Sequence, residues 1–210
     1  MHIDAIYLIG AGGHGKVVLD SLLKLGEKIA EIHVCDGDSS RQDLEFLNYR
    51  IRYLGDFAEV NGHAFHVSIG DCAIRRNIYQ DVLAANGLPF TIVHPRANVS
   101  DFSNVGKGSF LAAQSVLAPA AKIGVGVIVN HGSVVDHDCV VGDFSHIAPN
   151  ATLGGCVTIG AGVLVGAGAN ILPGIVVGDY AVIGAGAVVT RDVEAGETLA
   201  GIPAKITKRF

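Results

Sequence analysis

The chain has 210 residues, half of them hydrophobic and 17% charged, with a net charge of -5. That length accommodates one large domain or two small ones, and the apolar content excludes a disordered chain. The acidic balance, with no basic run anywhere, excludes a binder of nucleic-acid phosphates, which would gather Lys and Arg on one face.

Four cysteines (Cys35, Cys72, Cys139 and Cys156) lack CxxC spacing, so neither a zinc knuckle nor a disulfide framework is indicated. A cytoplasmic setting is the expectation, and no signal peptide is read at the start. Residues 144–178 contain no Asp, Glu, Lys or Arg. The glycines and prolines that punctuate this stretch disfavour a membrane-spanning helix.

In chain order, Ala5–Ile9 reads as a buried strand, Gly10-Ala11-Gly12-Gly13-His14-Gly15 as a glycine loop, and Lys16–Leu23 as a helix. A second strand, Glu31–Cys35, ends at Asp36, about twenty residues beyond the glycines. Strand, GxGxxG, helix and a following acid satisfy the fingerprint of a nucleotide site. Backbone N–H groups meet a phosphate there, and the acid can reach a ribose. The pattern continues with a strand at Phe65–Ile69, a helix from Ala73 to Ala85 and a strand at Thr91–Val93. That is half of a Rossmann unit and favours a nucleotide-linked small molecule over NAD. The alternative is a glycine turn that only packs helix on strand.

From Val93 onward a period of six takes over. Every sixth residue from Val93 to Val189, seventeen positions, is Val, Leu or Ile. Four residues after many of them stands a small side chain, as at Ser109, Ser133, Cys139, Ala151 and Ala187. Six matches neither the 3.6 of a helix nor a plain alternation of two, so each hexad is a short strand plus a turn. Three hexads per coil build a triangular prism of five to six coils, in which residues i and i+18 stack. At about 4.8 Å per layer the column is roughly 25–30 Å long. The expected domains are 1–92, nucleotide-binding, and 93–210, a β-helix with a short tail.

Among nine histidines, His131, His137 and His146 cluster within the solenoid. His137 precedes Asp138, which can hold its tautomer and raise its basicity. Gly155 lies eighteen residues on, one coil away, where its N–H is a candidate oxyanion donor. His146, half a coil from His137, reaches such a site only from another subunit. With Pro119 and Gly155 stacked on His137, a zinc site is not expected. An exposed solenoid histidine without catalytic duty is the alternative for His137, and packing is the reading for Cys139.

The run from Gly10 to Val18, Ser68-Ile69-Gly70-Asp71, His94-Pro95, the segment Val135–His146 and Gly201-Ile202-Pro203-Ala204-Lys205 together resemble the bacterial sugar O-/N-acyltransferases of the PglD/NeuD type. Their hexapeptide repeats wind into a left-handed parallel β-helix. The nearest likeness is to enzymes that acetylate the 4-amino group of a nucleotide-linked 4-amino-4,6-dideoxy sugar, UDP-linked above all, for surface glycans or glycoproteins.

The resemblance implies acetyl-CoA as co-substrate, no metal, and a homotrimer with active sites between subunits. It implies His137 as general base, Asp138 (often Glu in relatives) as its partner, and Asn130 and His146 lining the site. Gly155 would face the thioester carbonyl. Gly166, Ala167, Gly184, Ala185, Ile202, Pro203, Ala204 and Lys205 would line the acetyl-CoA cleft. Gly12, Gly13, His14, Gly15, Asp36, Gly37 and Gly70 would form the nucleotide pocket. O-acetylation of a sialic acid or another sugar, and a non-catalytic hexapeptide scaffold, stand as alternatives.

Overall fold

The computed structural model describes residues 2–26 and 28–207. The chain divides into two compact units, Met1–Ile92 and Val93–Phe210.

The first unit runs β1 (His2–Ile9), α1 (Gly13–Leu23), β2 (Lys28–Asp36), the hairpin β3 (Glu45–Phe46) and β4 (Tyr49–Arg50), β5 (Arg52–Tyr53), β6 (Ala64–Val67), α2 (Cys72–Ala84) and β7 (Leu88–Pro89). Strands β5-β2-β1-β6-β7 form one parallel sheet in that order. In β1, Ile6 and Leu8 are fully buried and Ile9 nearly so, the continuous apolar run of a strand covered on both faces. The chain moves outward from β1 first through β2 to β5, then through β6 to β7. The loops after β1 and β6 therefore diverge and leave a crevice at the carboxyl ends of the strands. The strand expected at Thr91–Val93 does not close this sheet: Leu88–Pro89 pairs with β6 at that edge, Ile92–Val93 belongs to a sheet of the solenoid, and β5 adds the other edge. Helix α2 is capped by the Asp71 carboxylate, which accepts from the Ile74 N–H at 2.8 Å, satisfying an otherwise unpaired donor of its first turn.

The second unit is a left-handed parallel β-helix. Its strands are two residues long and pair at steps of eighteen, as in Asn104↔Lys122, Phe110↔Ile128 and Val116↔Val134. They form three faces. From Leu111 to Val189 every sixth aliphatic is at most 4% exposed, and together they make the core. Val93, Val99 and Val105, in the opening coil, are only partly buried against it. Between them sit the small residues: Ser109, Ser133, Cys139, Ala151 and Ala187 are fully buried, and Ser109 and Ser145 bridge coils by accepting from Val127 N and Val163 N at 3.0 Å.

After Val189 the hexads stop. Val177 bridges Val193 and Val182 pairs with Thr198, so this last turn is two residues shorter than those before it. Thr198–Ala200 then pairs antiparallel with Lys205–Ile206, which ends the prism. Among the described residues no helix is long and apolar enough to cross a membrane. The uncharged stretch is built into the solenoid instead.

Candidate active site

Two of the cavities hold the residues expected to function, one in each unit. The first is the crevice of the N-terminal sheet, a cavity of about 420 Å³ lined by Gly12, Gly13, His14, Asp36, Gly37 and Gly70, together with Ile9, Gly10, Asp38, Arg41, Ser68, Ile69 and Ile78. A Cβ at Gly12 or Gly13 would meet nothing within 4 Å, so these glycines leave the start of α1 open. Gly12 caps α1 with no side chain bonded to the first turn, and those N–H groups are what an anion would meet.

Gly15 departs from its expected place. It is outside the lining and buried, and a Cβ there would collide with the Gly10 carbonyl. Its lack of a side chain lets α1 pack on β1, which is the third glycine's task in this fingerprint.

Asp36 has several partners. Its carboxylate accepts from Ala11 N at 3.0 Å and Asp38 N at 3.1 Å, and pairs with the Arg41 guanidinium at 2.7 Å. Arg41 also donates to Ala11 C=O at 2.6 Å. The acid expected to face a ribose therefore ties the glycine loop to the loop after β2, and Arg41 brings a cation to the rim. On the opposite wall the buried Arg75 donates to the carbonyls of Ile69 and Gly70 at 2.9 Å. Sequence reasoning missed both arginines. Arg41, five residues beyond Asp36, was the legible one.

The second site is a turn of the solenoid following the strand Val134–Val135. His137 N donates to Asp136 Oδ1 at 2.7 Å, and His137 Nδ1 meets Asp138 Oδ2 at 2.8 Å. With the carboxylate accepting from Nδ1–H, the lone pair is left on Nε2. The Asp138 hydrogen bond and then the nearby Asp136 charge raise the imidazole pKa above the usual histidine value. Beneath the ring lies buried Gly155, where a Cβ would fall 2.5 Å from Nε2 and 2.6 Å from Cε1. The ring can rest there only because the residue is glycine. Asp136, His137, Gly154, Gly155, Cys156, Pro173 and Gly174 line an open cavity of about 440 Å³.

Asn130 and His146 do not line that cavity. They meet each other, Asn130 Nδ2 to His146 Nε2 at 3.1 Å. The register explains why. Asn130, Ala148, Gly166 and Gly184 follow one another at eighteen-residue steps along one edge of the prism, whereas His137, Gly155 and Pro173 follow another edge.

Gly166 and Gly184 are glycine because coils touch there: a Cβ at Gly166 would lie 2.6 Å from Ala185 N, and one at Gly184 would lie 3.0 Å from Ala200 Cβ. Ala167, Ala185, Ile202, Pro203 and Lys205 are exposed, but Ala204 is buried, its N–H donating to Val188 C=O at 2.7 Å. Ala204 packs into the core rather than presenting a surface.

The sequence matches the PglD N-terminal domain family over residues 5–82 and the bacterial transferase hexapeptide family over residues 156–191. A GDP-perosamine N-acetyltransferase from Escherichia coli O157:H7 is 36% identical over 80 residues, which is 38% of this chain and 36% of that relative's length. Several solved structures match nearly end to end. The acetyltransferase domain of PglB from Neisseria gonorrhoeae FA1090, in complex with acetyl coenzyme A, is 34% identical with a TM-score of 0.91, covering 98% of this chain and 100% of that one. A histidine-to-asparagine variant of perosamine N-acetyltransferase from Caulobacter crescentus, with CoA and GDP-perosamine, is 31% identical with a TM-score of 0.91, covering 99% and 98%. A uniform hexapeptide prism behind a glycine-loop unit, matched over full length at these identities, places the chain in the PglD-type family of bacterial hexapeptide-repeat sugar acyltransferases.

Proposed function

We propose that the protein transfers the acetyl group of acetyl-CoA to the amino group of a nucleotide-linked amino sugar, with His137 as general base. The observation that carries this reading is the stacking of three parts of an acyl-transfer site at one turn. An imidazole has its Nδ1 held by Asp138, its Nε2 is free to take a proton, and a glycine from the next coil lies under that nitrogen.

In the reaction the amine attacks the thioester carbonyl, a C–N bond forms, and the oxyanion develops within reach of the Gly155 N–H. His137 takes the amine proton, Asp138 steadies the imidazolium, and collapse breaks the C–S bond. The imidazolium then returns its proton to the CoA thiolate. General-base action contributes about 10² to 10⁴ in rate, and an oxyanion donor about 10² to 10³. No cysteine is acylated.

The N-terminal crevice takes the nucleotide, its diphosphate at the open start of α1 beside Arg41. The relatives named with a substrate act on or bind GDP-perosamine, so a GDP-linked amino sugar stands beside the UDP-linked one expected from the sequence. The acetyl-CoA-facing set Gly166, Ala167, Gly184, Ala185, Ile202, Pro203 and Lys205 lies on or beyond the Asn130 edge. The His137 edge and the Asn130 edge meet only across two copies, which is the argument for a homotrimer. Val140, Leu172, Val176 and Tyr180, each more than 40% exposed, supply apolar surface for it.

The test is thiol release from acetyl-CoA against UDP-, GDP- and dTDP-linked 4-amino sugars and free sialic acid. Turnover of a nucleotide-linked amino sugar is expected. Activity on sialic acid alone overturns N-transfer, and silence throughout favours a scaffold. Light scattering is expected to report a trimer, and a stable monomer refutes the shared site.

A further inference from the structure

Cys156 has no part in the transfer proposed above, yet the solenoid sets it on the reacting turn. Asp138 and Cys156 occupy the same corner of adjacent coils, and both hold left-handed backbone, with φ of 60° and 62°. Cys156 N donates to His137 C=O at 2.9 Å, so the coil ladder itself keeps the two turns in register. One donor atom from each of His137, Asp138 and Cys156 lies within 4.8 Å of the other two, and all three side chains are exposed. His137 and Cys156 both open onto the same cavity, which gives an ion a path to them.

Imidazole nitrogen, thiolate sulfur and carboxylate oxygen are the donor types of tetrahedral zinc sites. With bonds of about 2.0 to 2.3 Å, ligand atoms in such a site stand roughly 3.3 to 3.8 Å apart. Exposed side chains close the remaining gap by small rotations about χ1 and χ2. The thiolate selects against magnesium and calcium, which take oxygen ligands. We propose that His137, Asp138 and Cys156 bind one zinc-type divalent cation, with solvent in the fourth position. The ion engages the imidazole and so stops acetyl transfer reversibly, a consequence that rests on His137 being the base. Binding releases the thiol proton to solvent and involves no redox change.

Cobalt(II) is the probe for the site itself. Titrating the full-length protein is expected to produce a thiolate-to-cobalt charge-transfer band in the near ultraviolet, saturating at one equivalent and displaced by zinc. The band is expected to vanish in both Cys156→Ala and Cys156→Ser. In the transfer assay zinc is expected to inhibit, a chelator to restore activity, and either Cys156 variant to raise the half-inhibiting zinc concentration by about tenfold or more, whatever its own rate. No band, or a band that survives both variants, overturns the site. A Cys156-dependent band with turnover unchanged at saturating zinc overturns the inhibition, and with it the role of His137 as base, while the metal site stands.

Discussion

Replacing Gly155 by Ala tests the site's geometry with a single methyl group. The glycine's φ lies outside the left-handed region, so alanine fits the backbone, but its Cβ would fall 2.5 Å from His137 Nε2 and 2.6 Å from Cε1. Ordinary contact begins near 3.4 Å, so the ring must retreat by about 1 Å. The ring is 57% exposed and is the nearest atom group on that side, so it swings away without disturbing the core. The cost to stability is therefore small, about 0.5 kcal/mol or about 2 °C in melting temperature. Catalysis is far more sensitive, because a misplacement of about 1 Å costs on the order of a hundredfold. Steady-state kinetics with thermal melting read both at once: kcat is expected to fall about a hundredfold in a protein that melts normally. Turnover close to that of the parent protein would show that the imidazole does not work against Gly155. A collapse in melting temperature would refute the reasoning that the ring moves freely.

Further outcomes follow from the same geometry. The proposed base His137 would have to be neutral to take a proton, and Asp138 and Asp136 raise its pKa, so the acid limb of the pH profile of kcat/KM is expected above the ordinary histidine value. Asp138→Asn removes the larger cause and should move that limb to lower pH while lowering kcat. An unmoved limb would assign it to another group. Arg41→Ala is expected to raise KM for the nucleotide sugar about tenfold or more, the worth of a lost charge-assisted hydrogen bond, with KM for acetyl-CoA unchanged; equal effects on both would contradict the pocket assignment. His66 is buried with Nδ1 donating to Phe90 C=O at 2.9 Å, and burial pushes its pKa down to about 4. The unfolded chain takes up that proton first, so stability is full above about pH 6.5 and falls by about 3 kcal/mol as pH drops toward 4. His66→Asn should flatten that part of the pH dependence of chemical denaturation, and an unchanged slope would show that His66 does not carry it.

The solenoid was readable because its register never slips over seventeen hexads, and the count of eighteen alone brought His137 to Gly155. The same count brings Asp138 to Cys156, a pairing that the hexad rule does not mark because Cys156 stands outside both the aliphatic and the small position. What escaped had no periodic signal. Strands β5 and β7 are two residues long, too short for any alternation, and the shortened last turn follows the end of the ruler. Arg41 reaches the Ala11 carbonyl thirty residues away, and Arg75 turns back onto the carbonyls of Ile69 and Gly70 just before its own helix; neither contact leaves a periodic trace in the sequence. Gly15 carried the right fingerprint but the wrong duty, since whether a glycine faces a ligand or a neighbouring carbonyl is decided by packing. Asn130 and His146 were named with His137, yet one chain holds them on a different edge.

The turnover of His137→Ala with the nucleotide-linked amino sugar that the intact protein acetylates tests the account most directly. The ring is exposed, so the variant is expected to fold and to bind acetyl-CoA as before, while kcat falls by at least about a hundredfold. A variant that keeps its turnover within a few-fold would contradict the claim that this imidazole takes the proton.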